Sequence, residues 1–162
     1  MQERLDKVGN AMRDYFGHDQ RRIDHAVRVT GFAEEILQHE KADREVVIAA
    51  ALLHDIGIRE AERKYGSSAG DLQEREGPPV ARGILASLGF DKAVIDEVCE
   101  IVGAHHSPGE VDTDNFRVIW DADWLVNLGD EFDLRDHGKT RELVRKIFQT
   151  AAGKAIAERI YL

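Results

Sequence analysis

The sequence predicts an all-α protein, a single-domain bundle of six or seven helices. Apolar residues recur three and four positions apart through most of the 162 residues, and no segment alternates apolar and polar residues for long. Only three prolines occur, and no Gly/Ser-rich linker, internal repeat or low-complexity block interrupts the pattern. A chain of this length with 43% hydrophobic residues fills one core, so one domain over residues 1–162 is expected.

The first helices follow from the apolar spacing of the N-terminal third. One amphipathic helix ends at Gly17, and a second runs from about Asp19 to His39. Val46 to Asp55 continues as a helix that is apolar all round and therefore buried, and Gly57 is a good C′ residue to end it. The polar stretch 59–75 is predicted to be a long loop, either a lid over a site or a surface insertion.

The later helices follow in the same way. Helical spacing resumes over residues 80–88, continues from about Lys92 to His106, where "SPG" breaks it, and returns from Phe116 to Leu128. A last amphipathic helix covers roughly residues 139–159 and is expected to pack on the part of the chain that precedes it.

Composition and charge disfavour several classes of function. The formal charge of −9 argues against a long nucleic-acid partner, because neutralising phosphates needs clustered Lys and Arg. No apolar run approaches the roughly 20 residues that span a bilayer, and the first ten residues contain no apolar signal core, so no membrane partner and a cytoplasmic location are expected. The single cysteine, Cys99, excludes an internal disulfide framework. The oligomeric state stays open, a homo-oligomer included.

Four helices carry titratable residues among apolar neighbours. They are His25; His54 and Asp55; His105 and His106; and Asp123 or Asp121, between which the spacing does not choose. A carboxylate buried without a partner costs several kcal/mol, so such groups form pairs or bind metal. Because several helices contribute, a shared metal is the better interpretation. Imidazoles and carboxylates without thiolates suit divalent Mn, Fe, Co, Ni, Zn or Mg.

These residues also carry a resemblance to a known family. The "HxxRV" that begins at His25, the "LLHDIG" that contains His54 and Asp55, and the later "ADWLVNL" resemble the HD-domain superfamily of metal-dependent phosphohydrolases, over residues 25–127. The resemblance implies a ligand set of His25, His54, Asp55 and Asp123 for one metal, because the family's last ligand is the aspartate directly after alanine. Asp121 is the alternative, and Asn127, one turn on, would support the ligands.

A second metal is implied by a subset of that family. The HD-GYP type and the HD-type symmetrical diadenosine tetraphosphate hydrolases add histidines between the HD pair and the last aspartate. "EGPPVA" at Glu76 resembles their "HGP" segment with glutamate for histidine, and "AHHSPG" resembles their "HH" segment. We therefore expect one or two divalent metal ions, with Glu76, His105 and His106 holding the second and Asp55 bridging. The alternative is that Glu76 is a solvated or helix-starting acid.

The resemblance implies hydrolysis of a small phosphate ester, most often a nucleotide, with Asp55 as the bridging carboxylate that positions water. Phosphate oxygens also need cations, and the candidates near the motifs are Arg28, one turn after His25, together with Arg59 and Lys64 after "HDIG". Two other functions stay open: a di-iron oxygenase on the same fold, and a catalytically silent metal-binding or regulatory module.

Overall fold

The computed structural model describes all residues, 1–162, and contains nine α-helices and no strand. They are α1 (Gln2–Phe16), α2 (Gln20–Leu37), α3 (Arg44–Leu53), α4 (Ile58–Tyr65), α5 (Gly70–Ser87), α6 (Lys92–Val102), α7 (Asp114–Glu131), α8 (His137–Ile147) and α9 (Ala151–Tyr161). The all-α class is confirmed, and the helices outnumber the six or seven predicted. One hydrophobic cluster of 39 buried residues forms the core.

Helix α3 lies at the centre of this core. Asp43 caps its first turn by accepting hydrogen bonds from the backbone N–H groups of Glu45 and Val46. Every residue from Val46 to Leu53 is buried, and α3 packs against α1, α2, α6 and α7. The predicted buried helix is therefore present, and its C-terminal end delivers His54 and Asp55 to the middle of the bundle.

The stretch 59–75 is not the long loop that its composition predicted. It contains α4 and the first turn of α5, which leaves a connection of four residues between Tyr65 and Gly70. Helix α4 buries only Ile58 and Ala61, so its apolar face is too narrow to stand out in a charged sequence. Gly66, with φ of 68°, ends this helix in the left-handed conformation that glycine adopts readily.

The turn between α3 and α4 packs closely against α5. Gly57 has a φ of −77°, so it does not act as the predicted left-handed C′ residue. A Cβ atom at Gly57 would instead lie 2.5 Å from the Gln73 carbonyl oxygen and 2.6 Å from the Gly77 amide nitrogen. Glycine is needed here because two backbone segments meet at close range.

The predicted C-terminal helix over residues 139–159 is two helices, α8 and α9. The break lies at residues 148–150, where the Asp121 carboxylate accepts hydrogen bonds from the backbone N–H groups of Gln149 and Thr150, at 2.9 and 2.8 Å. Thr150 in turn caps α9 through Gly153. Helix α9 packs against α7 and α8. None of the nine helices combines the length and apolar character that a membrane crossing requires.

Candidate metal site

Four donor atoms from α2, the end of α3 and α7 meet at one point. The His25 Nε2 atom lies 3.3 Å from His54 Nε2, 3.3 Å from Asp55 Oδ2 and 3.0 Å from Asp123 Oδ1. The His54 Nε2 atom lies 3.3 Å from Asp123 Oδ1 and 3.5 Å from Asp55 Oδ2. His54 is fully buried, and the other three side chains are at most 18% exposed.

This arrangement fits a divalent cation. Metal–ligand bonds of about 2.0–2.2 Å place neighbouring ligand atoms about 3.0–3.5 Å apart in tetrahedral or octahedral geometry, which matches the separations above. The His54 Nδ1 atom lies 2.7 Å from the Ala51 carbonyl oxygen. Because a carbonyl only accepts, Nδ1 carries a proton, so in the neutral form of the ring that binds metal the Nε2 lone pair faces the cluster.

A second group of donors lies beside the first and shares Asp55. The Asp55 Oδ1 atom is 3.3 Å from His105 Nε2, whereas Asp55 Oδ2 faces His25 and His54. The His105 Nδ1 atom donates to the Val102 carbonyl at 2.8 Å, so this ring is oriented in the same way as that of His54. Asp55, His105 and His106 place one ligand atom each within 4.8 Å of one another. The two oxygens of Asp55 thus face one group each, as a bridging carboxylate requires.

The charges of the first group hold one another in place. Burial lowers the pKa of His54, but the carboxylates of Asp55 and Asp123 outweigh burial and raise this pKa from 6.5 to about 10. Burial raises the pKa of Asp55 and of Asp123, but the neighbouring imidazoles outweigh it, and both pKa values end below the ordinary range. Without metal, a proton on His54 therefore compensates part of the negative charge at neutral pH.

The structure does not place Glu76 with the second group. The Glu76 carboxylate accepts hydrogen bonds from Lys64 Nζ at 2.6 Å and from the Tyr65 hydroxyl at 2.9 Å. This ion pair links α4 to α5, so the Glu76 carboxylate faces Lys64 and Tyr65 and not the second group, which it was expected to join. Gln73, one turn earlier on α5, lies there instead, with its Oε1 atom 3.0 Å from His106 Nε2. Sequence reasoning missed Gln73 because the start of α5 was assigned to a loop.

The structure separates the roles of the two aspartates on α7. Asp123 contacts His25 and His54, as described above. Asp121 is fully buried on another face of α7, where its Oδ2 atom also accepts a hydrogen bond from the Thr150 hydroxyl at 2.6 Å. Asp121 therefore anchors the α8–α9 connection, and Asp123 is the aspartate that can serve a metal.

The donor groups open into a cleft of about 570 Å³ between α2 and α7. Arg28 lines this cleft, with a salt bridge of 3.0 Å to Asp130 on the opposite wall. The other two basic candidates do not line it: Arg59 donates to the Tyr15 carbonyl and lies over the Tyr15 ring, and Lys64 pairs with Glu76.

Two arginines that sequence reasoning missed also line the cleft, Arg21 and Arg22. They lie one turn before His25 on α2, as Arg28 lies one turn after it. The same helical spacing, applied in the N-terminal direction, would have found them.

Comparison with known proteins agrees with this arrangement. The HD domain family matches residues 22–128, which include every donor described above. An uncharacterized protein of Acanthamoeba polyphaga mimivirus is 32% identical over 117 residues, which are 72% of this chain; the chain spans about half the length of that relative, since 47% of it is covered.

A solved structure extends the similarity to the whole fold. The crystal structure of a predicted HD superfamily hydrolase from an uncultured Thermotogales bacterium superposes with a TM-score of 0.67 and 31% sequence identity, over 99% of this chain and 84% of that one. The family match covers well over half of the sequence, and the His and Asp side chains of its motifs meet in space. The chain belongs to the HD domain family.

Proposed function

We propose that this protein is a metal-dependent phosphohydrolase that cleaves a small phosphate ester with water. The observation that carries the proposal is the meeting of His25, His54, Asp55 and Asp123 at the floor of an open cleft whose wall carries arginines. The similar Thermotogales protein, described as a predicted HD superfamily hydrolase, supports the same class of reaction.

Each group of side chains has a separate task in such a reaction. A divalent cation held by these residues would supply Lewis acidity, which draws charge from a phosphoryl oxygen and makes water more acidic. The backbone carbonyls of Ala51 and Val102 fix the rings of His54 and His105, so the ligand atoms are in place before substrate arrives. Asp55 lies between the two groups and can accept a hydrogen bond from the attacking water.

The arginines of the cleft suit the phosphate. Arg21, Arg22 and Arg28 are permanently charged and offer N–H groups in a planar fork, which matches the oxygens of a phosphate. A nucleotide and a simpler phosphate ester present the same phosphate to these groups, so the arginines fit the phosphate end of either substrate.

The proposal is tested by metal content and hydrolysis together. Protein purified without chelator is analysed for bound metal and assayed on p-nitrophenyl phosphate and bis(p-nitrophenyl) phosphate with added Mn, Co, Ni, Zn or Mg. The Asp55→Ala variant is expected to lose bound metal and at least about 100-fold in kcat/KM. His39→Ala, at an exposed position outside the cleft, is the matched control and keeps both.

Two results would contradict the proposal. One is the absence of phosphoester hydrolysis with every metal although the protein is folded and loaded. The other is iron-loaded protein that consumes dioxygen with an organic substrate and cleaves no ester, which would favour the oxygenase alternative.

A further inference from the structure

The cleft above the donor groups is almost entirely polar. Of its 13 lining residues only Ile58 is aliphatic, and no Phe, Tyr or Trp is among them. Pockets for small organic ligands are usually lined mainly by apolar and aromatic side chains. A volume of about 570 Å³ admits either a sugar phosphate or a nucleotide, so the composition of the walls, and not their spacing, decides between these ligands.

The walls outside the donor groups balance positive and negative charge. Three arginines, Arg21, Arg22 and Arg28, are matched by three carboxylates, Asp24, Asp130 and Glu131. Arginine only donates hydrogen bonds and carboxylates only accept them, so the mouth of the cleft offers both kinds of partner side by side.

Asn127 adds a side chain that can both donate and accept hydrogen bonds. Its side chain lines the cleft one turn after Asp123 and makes no hydrogen bond within the protein. The amide therefore has a free acceptor oxygen and free N–H donors, which is the combination that a hydroxyl group matches.

A flat base would find no Phe, Tyr or Trp side chain to stack on in this cleft. Nucleobases are held largely by stacking on aromatic side chains, and their faces would here displace water from charged groups without replacing its hydrogen bonds. Phe16 lines a cavity of about 320 Å³, but this cavity is separate from the cleft. Arg22 lines the cleft, Glu62 lines that second cavity, and their salt bridge of 3.4 Å lies between the two.

We propose that the cleft selects the phosphate ester of a small polyhydroxylated alcohol, such as a sugar phosphate, and not a nucleotide. The inference rests on the proposed phosphohydrolase function and narrows its substrate. The phosphate would meet the arginines and a cation held by the metal-ligand residues, while the hydroxyls of the alcohol bond to Asn127 and to the carboxylates of the α2 and α7 walls.

The test compares ribose 5-phosphate with adenosine 5′-monophosphate, which share the phosphate and the pentose and differ by the base. With p-nitrophenyl phosphate as the reference ester, kcat/KM for ribose 5-phosphate is expected to exceed that for the nucleotide. Equal kcat/KM values for the two esters, or a preference for the nucleotide such as a stacked base provides, would overturn the inference.

The Asn127→Leu variant tests the alcohol subsite. It is expected to lower the ratio of kcat/KM for ribose 5-phosphate to that for p-nitrophenyl phosphate about tenfold. An unchanged ratio would contradict the role of the amide. Metal analysis of the variant identifies any loss that comes from disturbed ligands.

Failure of the inference and failure of the proposed function give different results. If the protein hydrolyses p-nitrophenyl phosphate but prefers the nucleotide, the proposed sugar-phosphate substrate is refuted and the phosphohydrolase function stands. If no ester is hydrolysed with any metal, the proposed function fails. Calorimetric titration of the metal-loaded protein with the two phosphates then decides the inference by binding: tighter binding of ribose 5-phosphate supports it, and equal binding or tighter binding of the nucleotide refutes it.

Discussion

Replacing Gly57 by alanine probes the contact between the α3–α4 turn and α5. The added Cβ atom would lie 2.5, 2.6 and 2.9 Å from three backbone atoms of Gln73 and Gly77, whereas ordinary contacts begin at 3.4 Å. The segments must therefore separate by several tenths of an ångström. Such overpacking costs about 1–3 kcal/mol, and the lower entropy of the unfolded alanine chain offsets at most about 1 kcal/mol of it.

At the middle of both ranges the net loss is about 1 kcal/mol, which corresponds to a decrease in Tm of about 2–4 °C for a domain of this size. Because the displaced backbone carries Gln73, which contacts His106, affinity for metal at the second group is also expected to fall. Thermal unfolding by circular dichroism and metal titration measure the two effects.

Gly83→Ala, on α5, is the control. A Cβ atom there meets nothing within 4 Å, so this variant is expected to gain about 0.5–1 kcal/mol from helix propensity. If Gly57→Ala kept the Tm and the metal affinity of the parent protein, the inference of a required close approach would be refuted.

Four further predictions concern the charged groups. Asp121→Ala removes the acceptor of three hydrogen bonds from residues 149 and 150 and is expected to lower stability by about 2–4 kcal/mol in denaturant titration, with metal content unchanged. Asp123→Ala is expected to show the opposite pattern: this variant loses bound metal, and its stability falls by less than that of Asp121→Ala. Glu76→Gln keeps the metal stoichiometry of the parent protein in elemental analysis, because Glu76 pairs with Lys64 and Tyr65. The pKa of His54, about 10, lies above its ordinary value, so metal must displace a proton from this ring when it binds. Calorimetry in buffers of different ionisation enthalpy should therefore show proton release. The affinity for metal is expected to fall as the pH falls.

The sign of the His54 effect also gives a prediction for the metal-free protein. Because folding raises the pKa of His54, its protonation stabilises the folded protein. This stabilisation is complete below the unfolded pKa of 6.5 and is lost as the pH rises through about 10. A metal-free protein that became more stable over that range would contradict the charge arrangement. Loss of metal in Asp121→Ala, or in Glu76→Gln, would contradict the corresponding assignments.

The core of the fold was predictable because it depends on apolar periodicity. Helix α3 is buried along its whole length, and a continuous run of aliphatic residues is the direct signal for that. Helix α4 was missed since it buries only two residues. The break between α8 and α9 was missed because its cause, the carboxylate of Asp121, lies 28 positions away in sequence.

The candidate site was likewise predictable only in part. His25, His54 and Asp55 were identified from titratable residues on apolar helical faces, and the structure brings these three together. Periodicity could not choose between Asp121 and Asp123, since both side chains are buried and only their partners differ. Glu76 was assigned to the metal by sequence similarity alone, and no local pattern reveals that Lys64 and Tyr65 compete for its carboxylate.

The contact between His25 and Asp123 joins residues 98 positions apart. A cation bound by both would act as a removable cross-link between α2 and α7, and would stabilise the folded chain by its binding free energy, since the ligands meet only after folding. The same two helices form the walls of the cleft. Removing the cation would therefore release a tie across the substrate cleft itself, and faster hydrogen exchange in α2 and α7 after chelation would report that loosening.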